Sequence, residues 1–211
     1  MAPDIAFSIK VFAALFAIMN PVTNIPVFLS LTEGQSSAEM RRIASVTIVG
    51  VTVGCAVAAT VGGAILDMFG LSINDFRLAG GLLVLLIALS MLHGTTNAQH
   101  QPTEKELNDN AGSTDIAIYP LTFPLLVGPG TIATLIVFGH AAVTQGKIIG
   151  LVLGMAAFLL LLAAALYAAP QLARHLSPKV TAITQRLMGM ILAAIAMQMI
   201  VTSLVAAFKG V

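Results

Sequence analysis

Long apolar runs alternate with short polar turns along nearly the whole chain. Six runs stand out: Ile5 to Leu31, Ile43 to Phe69, Phe76 to Leu92, Ile116 to Gly139, Ile148 to Ala169 and Leu187 to Phe208. A helix crosses a bilayer with about 20 apolar residues, and these runs approach or exceed that length. They are continuously apolar instead of alternating over short stretches, which predicts helices and not barrel strands. Two runs are interrupted, the first by "NPVTNIP" at Asn20–Pro26 and the fourth by "GPG" at Gly128–Gly130. A single long polar stretch, 93–115, separates three runs from three. The expected fold is an all-α polytopic membrane protein with six transmembrane helices, the first and fourth discontinuous.

The two sets of three carry an internal repeat. "NPVTNIP" aligns with "GPGTIAT" at Gly128–Thr134, so that Pro21 meets Pro129 and Thr23 meets Thr131 at an offset of 108. "RLAG" at Arg77–Gly80 aligns with "RLMG" at Arg186–Gly189 at an offset of 109. Three crossings per repeat place the second upside down relative to the first. The predicted organisation is a first three-helix repeat over 1–92, a polar cytoplasmic linker over 93–115 and an inverted three-helix repeat over 116–211. Inverted repeats are common in secondary transporters. Small residues at Gly50, Gly54, Ala58 and Gly62, and at Gly146, Gly150 and Gly154, predict close helix packing within the chain.

Composition agrees with this class. Hydrophobic residues make up 58% of the 211 and charged residues only 9%, against about 25% in soluble domains; mean hydropathy is +0.97. A net charge of +1 without a basic cluster predicts no nucleic-acid partner. The lone Cys55 forms no intrachain disulfide, and the N-terminus lacks the basic segment of a cleavable signal peptide. With the N-terminus outside, the inner loops hold Arg41, Arg42, Lys105, Arg174, Lys179 and Arg186. The outer side then holds Lys10, Arg77, Lys147 and Lys209. The positive-inside rule thus favours both termini outside.

The interruptions carry the candidate chemistry. Proline has no N–H, so Pro21 and Pro26 free the carbonyls of Ala17 and Val22 in a continuous helix. Such breaks survive at membrane depth only inside protein or against a cavity, and matched breaks in two halves point to a midplane site. Asn20–Pro21 reads as N-cap and first helical residue, and Gly128–Pro129 as a stop and restart. New helix ends offer N–H groups to a carboxylate and carbonyls to an ammonium, which suits a zwitterion. Thr23, Asn24, Thr131 and Thr134 add neutral hydrogen-bonding groups. Gln198, deep in the sixth run, is an interhelical bond or a pocket lining. Arg77 and Arg186 are interfacial anchors or gates, with Asp67 and Asp75 in reach of Arg77.

Other chemistry is not signalled. His93, His100, His140 and His175 have no metal-ligand spacing, and no nucleotide-binding or hydrolase motif is present. No cofactor, metal or catalytic residue is expected, and the chain does not read as an enzyme. The apolar runs also lack a buried carboxylate for a proton relay; the nearest, Asp67, lies at the end of the second run.

"MNPVTNIPVF", "FRLAGGLLVLLIAL", "PLTFPLLVGPGTIAT" and "QRLMGMILAAIAMQMI" resemble, over the whole chain, the MarC family of bacterial integral membrane proteins. The resemblance implies six spans, an inverted repeat, location in the bacterial inner (plasma) membrane and periplasmic termini. It implies transport of small neutral amino acids such as glycine and alanine, with a proton or sodium ion as the coupling partner expected of the transporter class. The implied substrate region is Asn20, Pro21, Val22, Thr23 and Asn24 with Gly128, Pro129, Gly130 and Thr131, beside Thr134 and Gln198 read from the residues. The alternatives are a non-transporting membrane scaffold, or an exporter of other small solutes of the MarC type.

Overall fold

The computed structural model describes residues 4–94 and 116–209, so the linker expected at 93–115 lies almost wholly outside the described residues. Among them the chain is helical without strands. The first span is α1 (Ile5–Met19) and α2 (Pro21–Leu31), bent by 41° between them. The second is α3 (Ser37–Met68) and the third α4 (Ile73–His93). The fourth joins an irregular segment, Ala117–Leu126, to α5 (Pro129–Thr144) through a 63° bend. The fifth is α6 (Ile148–Tyr167), followed by the short α7 (Ala169–Ala173). The sixth is α8 (Pro178–Lys209).

Local chemistry sets these boundaries. Asp4, Ser36 and Ser72 cap α1, α3 and α4 by accepting from the backbone N–H three residues on, at 3.0, 3.2 and 3.1 Å. Gly94 ends α4 at φ 69°, a left-handed position that glycine adopts without a Cβ penalty. Hydropathy underestimates α3 and α8 at their N-terminal ends, because polar turns such as Lys179 to Arg186 continue the helix beyond the apolar run. The first interruption, expected over Asn20–Pro26, is confined to Asn20. Pro26 sits inside α2 on its exposed side, and the helix continues past it.

Burial follows one seam per helix. On α3, Val51, Cys55, Ala58, Gly62 and Leu66 face inward, while Val49, Val53, Val57 and Val61 form an exposed apolar stripe. An exposed face of valines at helical spacing is the surface that lipid solvates.

The packing exchanges partners between the two halves. α1 packs on α6, and α3 packs on α5; α4 packs on α8; α1 touches α8 much as α5 touches α4. Swapping first with fourth, second with fifth and third with sixth span maps this pattern onto itself. The small residues mediate it. Gly54 and Gly50 leave room for Val127 and Thr122, and Gly62 for Ile136. Gly154 leaves room for Ser8 and Val11, and Gly81 for Ile200 and Met199. Gly146 is not part of such a stripe: it turns the chain before α6 at φ 66°.

The irregular segment holds its shape against α3. Tyr119 and Phe123 are extended, and each precedes a cis proline, Pro120 and Pro124. The Thr122 hydroxyl donates to the Ala117 carbonyl at 2.7 Å, and the buried Thr47 hydroxyl of α3 donates to the same carbonyl at 3.3 Å.

Candidate functional site

The two breaks are closed by side chains in the same way. At the first, Asn20 adopts φ 32°, the one positive φ at a non-glycine residue among those described. Its carbonyl accepts from the Thr23 and Asn24 amides and, at 3.0 Å, from the Thr23 hydroxyl. The Asn24 side-chain amide donates to the carbonyl of Met19, the last residue of α1. At the second, the Thr131 hydroxyl donates at 2.9 Å to the carbonyl of Leu126, the last residue of the irregular segment. In each case a side-chain donor five residues on serves a carbonyl next to the break, where the helix is interrupted. Asn20 is the N-cap and Pro21 the first residue of α2, as expected from the sequence, though the Asn20 side chain makes no capping bond. Thr23, Asn24 and Thr131 therefore stitch backbone.

Two polar groups are left over. The Asn20 amide nitrogen and oxygen and the Thr134 hydroxyl are buried with no hydrogen-bond partner among the described residues. Burying such a group unpaired costs about 1–3 kcal/mol, and each needs a reason. Thr134 lies one turn beyond the second break.

An apolar plug fills the space between the breaks. A Cβ on Gly130 would lie 2.7 Å from Ile87 Cδ1 and 2.8 Å from Ile18 Cδ1, so glycine lets these three elements meet with neither isoleucine tip displaced. Ala17, Val84, Ala88, Leu192 and Ala196 complete this buried cluster.

On the other side of the plug a cavity of about 640 Å³ opens toward the end of the molecule that carries Asp4, the α5–α6 turn and the C-terminal part of α8. That volume lies within the range of small-molecule sites. α1, α5 and α8 form its walls. Thr134 and Gln198 line its deeper part with Met199, and Phe7 lines it near the Asp4 end with Phe138 against it. At 1.5 Å per residue, Thr134 lies about 15 Å from the end of α5 at Thr144, roughly half a hydrocarbon core.

The cavity also brings together Asp4, Lys10, Arg77 and Lys147. Lys147 Nζ lies 2.9 Å from Asp4 Oδ2 and 5.7 Å from the centre of the Phe7 ring. The hydrogen bond from Lys147, then that from the Phe7 amide, hold the Asp4 carboxyl below its ordinary value. Arg77 donates to Asn74 Oδ1 at 3.4 Å and pairs with neither Asp67 nor Asp75; the Asp75 carboxylate accepts from Ser72.

Of the residues expected from the sequence, Asn20, Pro21, Gly128, Gly130, Thr131 and Thr134 are buried. Val22, Thr23 and Asn24 are half-buried, and Pro129 and Gln198 are exposed, Gln198 within the cavity. Sequence reasoning counted Lys10 among the outer-side cations, left Arg77 between anchor and gate, and gave Asp4 and Lys147 no site role. The sequence places Lys10, Arg77 and Lys147 on one side of the membrane, and nothing in it shows that they converge on one cavity. Among the described residues no cluster of histidine, cysteine, aspartate and glutamate suits a metal.

The family model described as MarC family integral membrane protein matches residues 5–208. The UPF0056 membrane protein YhcE of Escherichia coli (strain K12) is 34% identical over 98% of this chain and 96% of its own length. The UPF0056 membrane protein MJ1677 of Methanocaldococcus jannaschii is 34% identical over 95% and 97%. YvbG of Bacillus subtilis (strain 168), another UPF0056 membrane protein, is 33% identical over 92% of each chain. No solved structure matches significantly.

Proposed function

Because this chain belongs to the MarC family of integral membrane proteins, we propose that it is a secondary transporter of small neutral amino acids of the glycine and alanine kind. The reading places it in a bacterial inner membrane with both termini periplasmic. The observation that carries it is the cavity: it reaches Thr134, one turn beyond the second break, while Gly130 and the Ile18 and Ile87 side chains packed on it do not line it. A cavity that enters from one end and does not run through the packed breaks fits one of the two states that alternating access requires. The unpaired Thr134 hydroxyl lines the cavity and is a group a bound solute would satisfy; the unpaired Asn20 amide lies beside the first break, outside that lining. Breaks stitched by Asn24 and Thr131 give each span a hinge whose hydrogen bonds stay within the protein as its halves tilt.

The test is flux of labelled alanine and glycine into proteoliposomes containing the purified chain, with and without an imposed proton or sodium gradient. The expected result is saturable flux that unlabelled alanine competes away. Flux no greater than in empty liposomes for every neutral amino acid tested would refute the reading.

A further inference from the structure

The charges that line the cavity do not cancel. Asp4 is engaged twice, by Lys147 at 2.9 Å and by the Phe7 amide at 3.0 Å. Lys10 and Arg77 line the same cavity and have no ion-pair partner among the described residues. Arg77 spends one weak bond on Asn74 at 3.4 Å, which leaves most of a five-donor planar fork available. The remaining polar lining is neutral, from Thr134, Gln145, Gln198 and Thr202. The lining therefore offers two unmatched cations and no unengaged carboxylate. Walls of Phe7, Ala13, Val137 and Phe138 lower the local dielectric and strengthen the field of those cations.

We infer that this cavity recognises a carboxylate: its ligand is a small solute whose anionic group is held by Lys10 and Arg77 while its short tail points toward Thr134. The inference rests on the transport reading above and narrows it. An α-ammonium meets neutral groups only, so the carboxylate and not the ammonium decides entry. Small monocarboxylates without an amine then enter as amino acids do, and amino-acid amides do not.

The experiment uses the full chain, first as a thermal-melting series in detergent and then as competition against labelled alanine uptake. A ligand that binds only the folded state raises apparent stability by mass action. Alanine and propionate are expected to raise the melting temperature and to compete; alaninamide is expected to do neither. Both effects weaken as salt is raised. Arg77→Gln and Lys10→Gln each weaken alanine and propionate by about tenfold, the loss of one charge-assisted bond, and Arg77→Lys falls between Arg77→Gln and the parent. Alaninamide acting as well as alanine overturns the inference, as do unchanged affinities in both glutamine variants. In either case alanine flux itself leaves the transport reading standing. Stabilisation by propionate without alanine flux supports the inference and removes the neutral amino acid substrate. No response to any carboxylate removes the inference even if a variant fails to fold, because the ligand series is run on the parent chain.

Discussion

Asp4 and Lys147 join the start of the first span to the turn before the fifth, with 2.9 Å between Oδ2 and Nζ. They close the N-terminal end of α1 against α6, where the two backbones already meet at Gly150 and Gly154. The folded-state value of the Asp4 carboxyl is lowered. The pair's contribution is therefore fully present above the ordinary carboxylate value near 4 and is lost as pH falls through the lowered one. The difference in melting temperature between the parent and Lys147→Gln is expected to be small, because both side chains are partly solvated. It is expected to hold between about pH 5 and 8 and to vanish in stronger acid. A difference that widened toward acid would contradict this pairing.

Thr131 and Thr134 sit one turn apart and predict opposite phenotypes. Thr131→Val removes the donor to Leu126 and strands a carbonyl at the break, a loss of about 1–2 kcal/mol. Thr134→Val replaces an unpaired hydroxyl by a methyl of similar shape, so its melting temperature is expected to match or exceed the parent's. Uptake is expected to fall in both. Parallel melting and flux measurements separate the stitch from the ligand contact.

Gly139 and Gly63 form a matched pair for the packing argument. A Cβ at Gly139 would overlap the backbone carbonyl of Ala59, which cannot swing aside, whereas one at Gly63 meets nothing within 4 Å. Gly139→Ala is expected to destabilise by about 1–3 kcal/mol. Gly63→Ala is expected to be neutral, or to stabilise by up to about 1 kcal/mol through helix propensity. Chemical or thermal unfolding in detergent reads both.

Asn20 combines a left-handed backbone with an unpaired amide. Asn20→Gly keeps the first and removes the second. Its stability is expected to stay within about 1 kcal/mol of the parent, while uptake falls by about tenfold. Normal uptake in this variant would show that the backbone alone matters at the break.

The six apolar runs, the two breaks and the 108-residue offset were legible because lipid demands continuous apolar helices and punishes any exception. Helix ends were less legible. Caps at Ser36 and Ser72 and the polar start of α8 obey local hydrogen bonding, which hydropathy does not weigh. At the breaks the sequence offered Thr23, Asn24, Thr131 and Thr134 as equivalent hydroxyl and amide groups. Only geometry separates the three that serve a backbone carbonyl from the one that serves none. The charged mouth was invisible for a related reason. Lys10, Arg77 and Lys147 are far apart in sequence, and nothing local distinguishes a cation that faces lipid headgroups from one that faces a cavity.

The exchange of packing partners bears on how the protein is made. The principal neighbour of α1 is α6, that of α3 is α5, and that of α4 is α8. A ribosome that has delivered the first three spans has delivered helices whose mates are still untranslated. They wait in the bilayer until α5, α6 and α8 follow. A single half would leave those same helix faces without their partners.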